Sequence, residues 1–126
     1  MKEHEIFIVD DSQVQLVLLE KVLKQQGFTI RSFSRGWELI NALEQSRPSL
    51  IISDIDMPRL NGFELLQEIK GRFESSRIPF FFISSKNDST TEQRAQRAGA
   101  QALIGKPYSY STLVAVIEDL LDIAKV

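Results

Sequence analysis

The 126-residue chain contains no cysteine, which excludes a disulfide framework and any thiolate metal site. Its opening, MKEHEIFIVDD, lacks the apolar stretch of a secretory signal. No apolar run approaches the roughly 20 residues that cross a bilayer. Basic and acidic side chains are interleaved, the net charge is −2, and no block of one sign appears, so broad affinity for nucleic acid or membrane surfaces is not expected. There is no internal repeat and no Pro/Gly/Ser-rich linker. These absences predict a soluble protein of a reducing, cytoplasmic setting, folded as one domain over residues 1–126. With 43% hydrophobic residues, such a chain can bury a sizeable core.

What is present is an alternation. Glu5–Asp10 (EIFIVD), Thr29–Phe33 (TIRSF), Leu50–Asp54 (LIISD), Pro79–Ser84 (PFFFIS) and Ala102–Gly105 (ALIG) are short, apolar or β-branched, and bounded by polar or turn residues. The segments between and after them carry helical periodicity, clearest in Leu113, Val116, Ile117, Leu120, Leu121 and Ala124. Ser12/Gln15, Asn61/Glu64 and Ser89/Glu92 are spaced as capping boxes, and Gly27 and Gly99 follow two of the helices as stops. Strands that are apolar throughout imply a sheet covered on both faces, and helical crossovers imply parallel strands. The expected fold is a doubly wound α/β fold: a five-stranded parallel sheet with helices on both faces in the flavodoxin-like order 2-1-3-4-5.

In such a sheet, ligands bind outside the carboxyl ends of the strands, where the strand order reverses. The residues at those ends are Asp10-Asp11, Asp54, Ser84-Ser85 and Gly105-Lys106-Pro107. Each alone has an ordinary explanation as a cap, a loop acid or a turn. Together they converge on one edge. Three carboxylates in one place repel unless a cation sits among them, and an all-oxygen set suits Mg2+. A lysine and a hydroxyl opposite that cation would hold a tetrahedral dianion, which makes the edge a phosphoryl site with a carboxylate as candidate nucleophile.

The set VDDS, SDIDMPRLNG, FISS and GKPY resembles the receiver domain of two-component response regulators across essentially the whole chain. The resemblance implies a signalling switch rather than a turnover enzyme. Asp54 would be the phosphoacceptor, supplied by a histidine kinase or phosphotransfer protein, and the output would pass to a downstream protein or an attached output domain. Asp11 and Asp54 would bind Mg2+ directly, Asp10 through water, and Asp56 through its backbone carbonyl. The Ser84 hydroxyl and Lys106 would meet the phosphoryl group, and the backbone N–H groups of Ile55 and Ser85 would hold its remaining oxygens. Pro107 matches a proline preceded by a cis peptide bond that would fix Lys106 in the pocket. Asp56 and Lys86 flank the entrance, either paired across it or separately solvated.

The family usually carries an aromatic switch residue where this chain has Leu103, so signal output is expected to rely on the loop before helix four. Phe80, Phe81 and Phe82 read as core, Trp37 as a packing residue, Tyr108 as a nearby aromatic without a switch role, and His4 as a surface residue. Three other readings compete. A haloacid-dehalogenase-like phosphatase would place its Asp-x-Asp on the first strand, whereas here the acid pair comes first. A flavodoxin-like cofactor binder needs a hydroxyl-rich phosphate loop where this chain has two acids. A phosphorylation-independent pseudo-receiver would not need the complete acid, hydroxyl and lysine set.

Overall fold

The computed structural model describes residues 4–73 and 78–121. Five parallel strands, β1 (Glu5–Val9), β2 (Thr29–Phe33), β3 (Leu50–Asp54), β4 (Phe80–Ser84) and β5 (Ala102–Gly105), lie in the order β2-β1-β3-β4-β5. They alternate with α1 (Gln13–Gln25), α2 (Gly36–Leu43), α3 (Gly62–Arg72), α4 (Ser89–Ala98) and α5 (Tyr110–Leu120). The register aligns Asp54 with Ile83 and Ser84 with Gly105, so the strand ends come out level on one edge.

Because successive side chains point to opposite faces of a strand, the continuous apolar runs divide into two layers. Phe7, Val9, Ile51, Phe80 and Phe82 pack with α2, α3 and the Ala95 face of α4. Ile6, Ile8, Leu50, Ile52, Phe81 and Ile83 pack with α1 and α5 through Leu16, Leu19, Leu23, Leu113 and Ile117. Full burial of each such side chain contributes roughly 1.5–3 kcal/mol. That burial is what holds helices of modest length against the sheet. Among the described residues no helix is long and apolar enough to cross a membrane.

The expected helix starts hold with one shift. Ser12 caps α1 by accepting the Gln15 N–H at 3.3 Å, and Asn61 and Glu64 form a full reciprocal capping box on α3. On α4 the cap is Asp88, which accepts the Thr91 N–H at 2.9 Å, one residue before the expected Ser89. Five consecutive residues there, Asn87 to Thr91, can cap, and the aspartate also gains from the positive end of the helix dipole. Gly99 closes α4 in the left-handed region at φ 99. His4 is half-buried rather than on the surface, with its ring 3.4 Å from the Ser49 hydroxyl. Phe80, Phe81 and Phe82 are fully inside. Ala124 lies outside the described residues.

Candidate functional site

Strand order reverses between β1 and β3, so the crevice opens over the ends of those two strands. Asp10 and Asp11 follow β1, and Asp54 ends β3. Carboxylate oxygens from the three lie within 4.8 Å of one another. Asp10 is buried and accepts the Ser12 N–H at 2.9 Å, so the start of α1 orients it. Asp11 is exposed. Asp54 is buried, and burial, followed by the charge on Asp10, pushes its pKa up from 3.8 to about 6. Burial also raises Asp10, against the Ser12 N–H and the Lys106 charge.

Lys106 approaches from the far side, following β5. Its Nζ stands 3.6 Å from Asp54 Oδ1 and 4.0 Å from Asp10 Oδ2. The Lys106–Pro107 peptide is cis. Ser84, fully buried at the end of β4, accepts the Lys86 N–H at 3.0 Å through its hydroxyl oxygen. That bond leaves the hydroxyl proton free to donate. Ser85 and Lys86 are exposed, as is Asp56. Among the described residues no ion pair joins Asp56 to Lys86, so the entrance is unbridged.

The backbone donors depart from expectation at one position. The Ile55 N–H is committed to the Ile83 carbonyl at 3.1 Å, because the β3–β4 ladder runs one residue past Asp54. The amide facing the Asp54 carboxylate is instead that of Asp56, at 3.4 Å. Sequence reasoning also missed Ser53, whose buried hydroxyl donates to the Asp54 carbonyl at 2.8 Å.

The loop from β3 to α3 folds tightly over the edge. Leu60 N–H reaches the Pro58 carbonyl at 2.7 Å and Gly62 N–H the Ile55 carbonyl at 2.9 Å, while Arg59 takes a left-handed φ of 70. A Cβ on Gly62 would lie 2.7 Å from the Asp54 carbonyl oxygen and 2.9 Å from the Phe82 ring. Glycine is therefore required for α3 to start against the end of β3. Asn61 is legible in the sequence as the cap that starts α3, but this close approach of Gly62 is not. Leu103 is half-buried against the α4 side of the sheet. The Asn87 side chain lies over Gly105, in the space that a Cβ there would need. Burial, followed by Tyr110, pushes the Tyr108 hydroxyl up to about 12.

The donor set is all oxygen, and the carboxyl groups of Asp10 and Asp54 both hold their protons more tightly than usual, a cost that a cation would relieve. These residues fit a hard divalent ion such as Mg2+.

Residues 6–118 match the response regulator receiver domain family. This chain is a response regulator receiver. Receivers are the signalling switches of two-component systems. This one is 30% identical to protein PilH of Pseudomonas aeruginosa over 92% of its own length and 96% of that protein. It spans between 24% and 53% of the length of several other curated relatives. Among solved structures it resembles the signal receiver domain of a signal transduction histidine kinase from Syntrophus aciditrophicus, at 32% identity, TM-score 0.85, and coverage of 97% of this chain and 92% of that one. The fold also matches the receiver domain of a sensor histidine kinase from P. aeruginosa PAO1, a structure with a magnesium ion coordinated in the active site cleft. That match has 21% identity and TM-score 0.85, and covers 96% and 99% of the two chains.

Proposed function

We propose that Asp54 of this receiver accepts a phosphoryl group from a phosphohistidine on a kinase or phosphotransfer protein, and that the phosphorylated form passes the signal to a downstream protein or an attached output domain. The observation that carries this reading is a buried carboxylate held between two acids and a lysine at the strand-order reversal. An Asp54 oxygen attacks phosphorus as the P–N bond of the donor breaks and its electron pair returns to the imidazole. The acid is an acyl phosphate thereafter. Near neutral pH Asp54 is largely ionised even at its raised pKa of about 6, so the nucleophile needs no separate base. Lys106, 3.6 Å from the Asp54 oxygen, would pair with the incoming phosphoryl oxygens, and the Ser84 hydroxyl, whose oxygen already accepts the Lys86 N–H, would donate its proton to them.

Asp10, Asp11, Asp54 and the Asp56 carbonyl would hold Mg2+, which when bound supplies charge neutralisation to the acid cluster and the transferred group. A protein donor also finds a landing surface beside the site. Val14, Val17 and Leu18 on α1 are 69%, 61% and 42% exposed, an apolar face that starts two residues after Ser12.

Asp54→Asn should abolish acid-labile labelling by a small phosphodonor in the presence of Mg2+, since an amide is not a nucleophile for this step. Intact labelling of the variant at the same site would overturn the assignment.

A further inference from the structure

The groove between α3 and α4 holds about 500 Å3 and is lined by Phe63, Gln67, Lys70, Arg94, Arg97 and Ala98. Three cations and no carboxylate line it, on a chain whose net charge is −2. The nearby acids are engaged elsewhere. Glu64 accepts the Asn61 N–H at 2.9 Å in the α3 capping box, and Glu68 pairs with Arg72 at 3.1 Å. Glu92 lines a different hollow of α4, with Gln96 and Leu103. Among the described residues Lys70, Arg94 and Arg97 have no carboxylate within ion-pair distance.

Two of these cations are also held in place. The Arg94 guanidinium lies 4.0 Å from the centroid of the Phe63 ring. Lys70 Nζ donates to the Ala98 carbonyl at 2.6 Å, passing over Gly99 where any Cβ would collide with it. Side chains already ordered in the free protein lose less entropy when a partner arrives. Arg94 and Arg97 stand one helical turn apart and present their charges along one side of the groove.

We propose that this groove is a docking surface for a short acidic segment of a protein partner, its carboxylates pairing with Arg94, Arg97 and Lys70. A nucleic acid is the poorer occupant. Its long, uniform charge would meet a chain of net charge −2 and pI 5.4, whereas a short peptide experiences chiefly the local patch. The proposal does not depend on which carboxylate takes the phosphoryl group.

The test is an amide chemical-shift titration of the full chain with a blocked hexaglutamate peptide. Shifts should cluster at Phe63, Gln67, Lys70, Arg94, Arg97 and Ala98 and shrink as salt is raised. The double substitution Arg94→Gln, Arg97→Gln should weaken binding about tenfold, the loss expected for two exposed charge pairs. Arg94→Lys, Arg97→Lys should retain it, which separates lost charge from a damaged helix. Shifts scattered over Lys21, Arg31 and Arg47, or unchanged affinity in the glutamine variant, would overturn the proposal. So would tighter binding of a decathymidine oligonucleotide to the same residues.

Discussion

In its proposed role Asp54 combines two demands on one carboxylate, since it must be inside the fold to be surrounded by Lys106 and the acid pair, yet ionised to react. The result is a native group that holds its proton more tightly than the same group in an unfolded chain. Its pKa is raised from 3.8 to about 6, so between those values the folded form binds more protons. Stability of the metal-free protein therefore falls as pH rises through that window. The contribution is fully present below about pH 4 and lost above about pH 6. Asp54→Asn removes the penalty. In chelator at pH 7 the variant should be more stable than the parent by about 1–2 kcal/mol, after discounting for solvent screening, and the difference should vanish at pH 4. Melting curves at several pH values would show it, and a pH-independent difference would contradict this account. At this scale the sequence was most informative where a residue's chemistry alone marks it. Asp10, Asp11, Asp54 and Lys106 were legible from type and position. The Ile55 N–H was not, because its partner is a carbonyl 28 residues away in sequence.

With Leu103 in β5 in place of an aromatic residue, the element expected to carry the signal is the connection from β4 to α4. Leu103 offers no ring to rotate and no polar tip to carry outward. The loop, by contrast, is tied to both ends of the site. Ser84 accepts the Lys86 N–H, and the Asn87 side chain covers Gly105, the residue before Lys106. If Ser84 turns its hydroxyl toward a phosphoryl group, the Lys86 bond and the seat of Asn87 are the contacts disturbed. Beryllofluoride, a stable mimic of the phosphorylated acceptor, should therefore shift the amides of Lys86 to Thr91 more than that of Leu103. Gly105→Ala, by displacing Asn87, should move the same loop amides without the mimic. A response centred on Leu103 with a silent loop would refute this. α4 suits such movement, since Ala95 is its one buried residue and little apolar surface resists a small shift.

For the whole molecule, the acid cluster is a local cost that a ligand of the folded state offsets. An ion that binds the native form and not the unfolded chain stabilises by mass action, about 2.7 kcal/mol at a hundredfold excess over its Kd. Mg2+ should raise the melting temperature in a concentration-dependent way. Asp11→Ala should reduce that response by removing an exposed ligand without opening a core cavity. An equal Mg2+ dependence in the variant would mean that Asp11 is not a ligand.

The alternation of strands and helices, the parallel sheet covered on both faces and the edge that carries the acids were all determined by the sequence alone. Periodicity, caps and strand ends are local patterns, and the handedness of parallel crossovers leaves few ways to assemble them. Four features were decided only by tertiary structure: the commitment of Ile55 to β4, the close approach of Gly62 to the Phe82 ring, the seat of Asn87 on Gly105, and the cationic groove between α3 and α4. Each joins residues distant in the chain, and their separation in space is set by how the layers pack. No pattern along the sequence records that distance.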